Sequence, residues 1–194
     1  KRSGHSNAYF VGFGRTKRVV LYDTLVESME IDEIQAVLAH ELAHWKRKHI
    51  PKFVALAAVQ FAVVFAALGY PAGQPWVFDL FGFPAEATYA GLFVAVLLVG
   101  PVMQLSAPLQ NYLSLAYERE ADTFAVETMG ADPMANALAA LAADNMTNPF
   151  PHPLYETFHH DHPPIPERIR YVQEMGEETK GSVDEGAGDG TASA

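Results

Sequence analysis

The chain of 194 residues is 49% hydrophobic, enough for a core of ordinary domain size, and carries a formal net charge of -10. That acidic balance argues against a nucleic-acid partner. The absence of cysteine excludes disulfides and thiolate ligands, leaves histidine and carboxylate to hold any metal, and fits a reducing compartment.

The chain opens on Lys1 without a signal-peptide pattern, so it is expected to be a fragment or to have lost its start. Asn7 to Val11 and Arg18 to Tyr22 are strand-like runs of aromatic and β-branched residues joined by Gly12-Phe13-Gly14-Arg15-Thr16, which predicts a β-hairpin over 7–22. Most hairpins are only structural. An exposed strand edge beside a metal, however, can hold an extended peptide by main-chain hydrogen bonds.

Asp32-Glu33-Ile34-Gln35 has the form of a capping box, and Ile34, Val37, Leu38, Leu42 and Trp45 recur at helical spacing, predicting a helix over 32–50. Within it stand His40-Glu41-Leu42-Ala43-His44. Residues four apart share one helical face, so His40 and His44 can reach one metal, while Glu41, one position round, can take a proton from an attacking water. Chance occurrence of the triplet is the competing reading, and the helical context weakens it.

Lys46, Arg47, Lys48 and Lys52 are followed by a stretch from Phe53 to Tyr70 without charge, and a second uncharged stretch runs from Ala87 to Tyr117. Roughly 20 apolar residues cross a bilayer, so spans are predicted at about 53–70 and 88–107; buried helices of a soluble core are the alternative. Pro101 and Pro108 are expected to kink or end the second span, and Gly91 and Gly100 supply small residues along it. The connection over 71–86 holds Asp79 and Glu86 but no Lys or Arg, which places the metal motif on the cytoplasmic side by the positive-inside rule.

Two histidines leave a catalytic zinc one protein ligand short. Tyr117-Glu118-Arg119-Glu120-Ala121-Asp122, in a helix expected over about 110–129, offers the best third ligand. Glu118 and Asp122 share a face and Glu120 points away from it, so Glu118 is the candidate ligand and Asp122 the candidate partner for the far nitrogen of a ligating histidine. A solvated acidic face is the plainer reading of the same residues. In Phe158 to Arg168 the dense histidines and prolines predict an extended loop over 150–168, where a histidine has one vacancy to fill, as donor to an oxyanion. Residues 176–194, rich in Gly, Glu, Asp, Ser and Thr, are expected to form a disordered acidic tail after a catalytic portion covering 1–175.

Five separated segments, Gly4-His5-Ser6-Asn7-Ala8-Tyr9-Phe10, the basic strand ending in Leu21-Tyr22-Asp23-Thr24-Leu25, His40 to Trp45, Glu118 to Asp122, and His162-Pro163-Pro164 with Glu167-Arg168, resemble the integral-membrane zinc CAAX prenyl proteases. The similarity runs in order from about Arg2 to about Val172. It implies a mainly α, multi-spanning membrane zinc metalloprotease with a small N-terminal β-hairpin beside the zinc helices. It further implies one Zn2+ per chain on His40, His44 and Glu118, with Glu41 as general base and His162 as transition-state donor. Asp122 and Arg168 would support the ligands, and Asn7 would lie on the strand that pairs with substrate. The implied partners are membrane lipid and a peptide or protein cleaved near a prenylated or otherwise hydrophobic C-terminus. Two departures qualify the resemblance: the several N-terminal spans of the family are missing, so the chain matches its C-terminal catalytic part, and the Leu25 to Asp32 connection is short, which points to a prokaryotic protein. The location implied is an inner or plasma membrane if prokaryotic, or the endoplasmic reticulum if eukaryotic. A quality-control membrane zinc endopeptidase and a non-catalytic metal-binding scaffold are the rival functions.

Overall fold

The computed structural model describes residues 8–11, 18–84, 87–145, 152–160 and 162–188. Strands β1 (Ala8–Val11) and β2 (Arg18–Leu21) pair antiparallel with Ala8 opposite Leu21 and Val11 opposite Arg18, giving the expected hairpin. Among the described residues, everything else in regular structure is helical.

A short helix, α1 (Asp23–Ser28), drives Leu25 into full burial against Met29, Val37 and Ala137. The long α2 (Ile31–Lys46) is capped two residues earlier than the expected box at Asp32: Glu30 is the N-cap and forms the capping box with Glu33, while Asp32 accepts from the Glu33 amide. Within the apolar residues that repeat along α2, Val37 is buried and Ile34 packs beside it. Ala36, Ala39, His40 and Ala43 are buried, whereas Leu42 and Trp45 are exposed. Small residues let α2 approach α6 (Ala107–Met129), where Ala121 and Ala125 are likewise buried, and this close seam is the most extensive helix pair in the fold.

The predicted single helix over 32–50 is two helices. Lys48 takes a left-handed conformation (φ 58, ψ 39), ends the run, and starts α3 (His49–Ala72) in a new direction. α3 has mean hydropathy 2.1 over its most apolar stretch and is almost wholly unburied, so by length and composition it can cross a membrane. After α4 (Pro75–Phe81), α5 (Thr88–Leu105) returns along α3. The close approach is set at Gly91, where a Cβ would fall on the Ala72 carbonyl.

α5 and α6 are separated by a 43° bend at Ser106, and together they are long and apolar enough to form a second, broken span. Pro108 sits in the first turn of α6, so the missing N–H costs nothing there and a break before it is natural, while Pro101 stays inside α5. Ser106 donates to the Met103 carbonyl (2.6 Å) and receives Gln60 and Gln110 side chains, which satisfies the polar groups at the break.

Beyond α6, α7 (Ala131–Asn145) packs Met134, Ala135 and Leu138 into one core with Ala36, Ala39, Ala125, Val126 and Val172. Two expectations for the C-terminal part are corrected. The segment over 150–168 contains a helix, α8 (Pro153–His159), tied to α6 by Asn111 donating to the Thr157 carbonyl (2.9 Å). And α9 (Ile165–Gly188) continues well past 175, because Val172 and Met175 anchor it in the core and each further residue adds a helical hydrogen bond to a nucleus already formed.

Candidate metal centre

Across the α2–α6 seam three donor side chains converge. His44 Nε2 lies 3.1 Å from His40 Nε2 and 3.3 Å from Glu118 Oε1, and His40 Nε2 lies 3.5 Å from Glu118 Oε2. Donors at zinc-like distances of about 2.0–2.1 Å in a tetrahedron are separated by about 3.3–3.4 Å, so these spacings fit one ion held by three ligands. Among the described residues, His40, His44 and Glu118 are the group able to hold a metal.

The surroundings support the same assignment of donors. His40 Nδ1 is 2.8 Å from Asp122 Oδ1; a carboxylate only accepts, so the proton is on Nδ1 and the Nε2 lone pair faces the centre. His44 Nδ1 is 2.9 Å from His49 Nδ1, and His49 Nε2 is 3.2 Å from Glu120 Oε2. Glu118 is 3% exposed, and its Oε2 is buried without a hydrogen-bond donor. A buried carboxylate oxygen left without a donor beside two imidazole nitrogens is what a cation would satisfy.

Arg168, from the first turn of α9, reaches into the seam. Its Nη2 and Nε donate to Asp122 Oδ1 (2.6 Å) and Oδ2 (2.9 Å), and its Nη1 is 3.4 Å from Glu118 Oε2. Nη2 also lies 3.4 Å from His40 Nδ1, but the shorter Asp122 contact takes that nitrogen's proton. His162, half exposed, places Nε2 3.3 Å from Glu118 Oε1. Glu41, His40, His44, Glu118, His162 and Arg168 all line one cavity of about 370 Å³, whose remaining wall is largely apolar, including Leu25, Val37, Phe53 and Leu138.

Burial pushes the Glu41 carboxyl above its ordinary range, against the opposing pull of His40 and His44. For His40, burial disfavours the charge, yet the facing carboxylates of Asp122 and Glu118 outweigh it and raise the pKa. A proton and a metal ion therefore compete for the same lone pair.

The structure thus brings together His40, Glu41, His44, Glu118, Asp122, His162 and Arg168. Asn7 lies outside the described residues. Sequence reading passed over His49 and set Glu120 aside as facing away; both stand behind His44, and the signal for them, a histidine five residues beyond the motif, has no meaning until the turn at Lys48 is known.

The model of Peptidase family M48 matches residues 1–176. The chain is 39% identical to CAAX prenyl protease 1 homolog of Arabidopsis thaliana over 92% of its own length and 42% of the relative's, and 32% identical to CAAX prenyl protease 1 of Saccharomyces cerevisiae over 93% and 43%. The crystal structure of S. mikatae Ste24p superposes with a TM-score of 0.77 at 30% identity, covering 88% of this chain and 43% of that one. The chain therefore spans less than half the length of these relatives. The match over most of its residues, carried by a helical fold with paired histidines and a glutamate at one centre, means that it belongs to peptidase family M48.

Proposed function

We propose that the chain is the catalytic portion of a membrane-embedded zinc endopeptidase of the CAAX prenyl protease type, with one Zn2+ held by His40, His44 and Glu118. The observation that carries this reading is the set of donor separations of 3.1, 3.3 and 3.5 Å among those three residues, with Glu41 lining the same cavity. When bound, zinc acidifies water and polarises a peptide carbonyl.

The chain's own residues supply the rest. Glu41, its carboxyl raised by burial toward the pH at which proton exchange is efficient, takes a proton from the attacking water and delivers it to the leaving amine. His162, beside Glu118, donates to the oxyanion. Asp122, backed by Arg168, holds the His40 ring in its ligating tautomer. β1 runs beside α2, so its outer edge can align an extended peptide. The apolar wall of the cavity and the uncovered faces of α3 and α5 suit a prenyl group or another hydrophobic substrate segment in a bilayer. Lys46, Arg47, Lys48 and Lys52 at the start of α3 favour a cytoplasmic location for the site.

The test uses the purified full-length protein in detergent or vesicles with a farnesylated C-terminal peptide and its unlipidated twin. Faster cleavage of the farnesylated peptide supports the prenyl reading, and equal cleavage overturns it in favour of a protease for hydrophobic segments generally. Glu41→Gln should retain about one zinc per chain while cleavage falls by roughly 100-fold or more. Undiminished cleavage would remove Glu41 from the role of base. Zinc binding without cleavage by the unmodified protein would leave a metal-binding scaffold.

A further inference from the structure

We propose that His49 and Glu120 are positioning residues for the metal centre: Glu120 sets the tautomer of His49, and His49 in turn holds His44 with its Nε2 lone pair aimed at the ion. The inference rests on the zinc reading above and assigns a role to two side chains outside the ligand set.

The direction of the chain of hydrogen bonds follows from what each group can do. A carboxylate accepts only, so across the 3.2 Å contact His49 Nε2–H is the donor and Glu120 Oε2 the acceptor. A neutral His49 then presents a lone pair on Nδ1. Across the next contact, 2.9 Å, His44 must donate from Nδ1, which leaves Nε2 free to ligate. The reverse arrangement would set two lone pairs against each other.

His49 is built to stay where it is. It is 1% exposed and stacks on Tyr117 with ring centroids 4.2 Å apart and planes 10° from parallel. Phe53 meets the same tyrosine edge-on, and Lys52 Nζ stands 4.9 Å from its centroid. The left-handed turn at Lys48 folds the chain back so that the residue five positions after His44 returns to its ring. His49 is no fourth ligand, since its Nδ1 is engaged by His44 and its Nε2 faces Glu120.

The two ligating imidazoles are thereby oriented from one helix by different routes. Asp122 reaches His40 directly at 2.8 Å, and Glu120 reaches His44 through one intervening ring. Supporting contacts of this kind typically change metal affinity by about 10–100-fold when removed.

Three measurements on the full-length protein test the assignment. Nitrogen-resolved NMR of the zinc-loaded, otherwise unaltered protein should find His40 and His44 protonated on Nδ1 and His49 protonated on Nε2; a proton on His49 Nδ1 overturns the proposal without any substitution. In chelator competition, His49→Phe keeps a ring against Tyr117 but no acceptor, and should weaken zinc binding by about 10–100-fold. His49→Asn restores an acceptor near the Nδ1 position and should recover most of that loss, which a purely packing role would not do. Affinity unchanged in His49→Phe, or no recovery in His49→Asn, overturns the positioning role while leaving the zinc site standing. Failure of the unaltered protein to bind zinc would overturn both.

Discussion

Arg168 grips Asp122 through two parallel contacts, Nη2 to Oδ1 at 2.6 Å and Nε to Oδ2 at 2.9 Å, so the carboxylate that faces His40 is held from behind by the first turn of α9. Asp122 is buried, its side chain 1% exposed, and Arg168 is mostly covered, at 11% exposed. The pair couples the C-terminal helix to the α2–α6 seam. Breaking one side of such a pair strands a buried charge.

Asp122→Ala and Arg168→Met should each therefore destabilise the fold by about 3–5 kcal/mol, and the double substitution by clearly less than the sum. Thermal unfolding of the four proteins gives the coupling. Strictly additive losses would mean that the pair is not a unit. Zinc affinity should fall more in Asp122→Ala than in Arg168→Met, since only Asp122 hydrogen-bonds His40.

Removing the metal should loosen the seam. Glu118 Oε2 has no hydrogen-bond donor, and the Arg168 guanidinium 3.4 Å away leaves its side toward His40 and His44 open to a metal ion, so chelation should lower the unfolding temperature reversibly, with zinc restoring it. In Glu118→Ala the zinc content should drop and chelation should have little further effect. A Glu118→Ala protein that keeps its zinc would return Glu120 or a loop histidine to consideration as ligand.

Lys48 is the sole non-glycine at positive φ among the described residues (φ 58). A side chain there costs roughly 1–2 kcal/mol, partly recovered in the unfolded chain, where lysine is less free than glycine. Lys48→Gly should accordingly raise stability by about 1 kcal/mol or less and leave zinc affinity unchanged. A clear loss of stability would mean that the lysine side chain, not the turn, matters.

At Gly91 a methyl group would meet the Ala72 carbonyl and approach the Phe78 ring to 3.1 Å. Gly91→Ala should cost about 1–3 kcal/mol by pushing α5 off the end of α3. At 1.5 Å per residue, Ala72 is roughly 35 Å along α3 from His49. Zinc content should thus be retained while the unfolding temperature drops; loss of zinc at equal stability would show a coupling along α3 that packing alone does not provide.

Local chemistry determined much of this protein from its residues. The i, i+4 spacing of His40 and His44, the i, i+4 spacing of Glu118 and Asp122, the hairpin and the uncharged stretch that became α3 each depend on short-range geometry or on composition, and a helix period or a run of apolar residues expresses both directly. Which side of α2 is buried does not follow from its apolar repeat alone: Leu42 and Trp45 are exposed, while the close approach to α6 is made by the small Ala36, Ala39 and Ala43. The helix inside 150–168 was hidden by prolines that mark its ends. The length of α9 was hidden by a polar composition that says nothing of the core anchor at Val172.

What only the tertiary structure decided is how distant segments meet. His40 and Arg168, or His49 and Glu120, are far apart in sequence, and no periodicity links them; their contacts exist because α2 and α6 pack through alanines and because one left-handed residue, Lys48, turns α3 back onto the motif. The sequence by itself set the type of the ligands and the faces they occupy, since those follow from local backbone geometry. The convergence at the candidate centre, with Glu118 beside the two histidines, Asp122 and Arg168 behind His40 and the ring behind His44, was decided by the packing of helices, because long-range burial alone brings such groups within hydrogen-bonding distance.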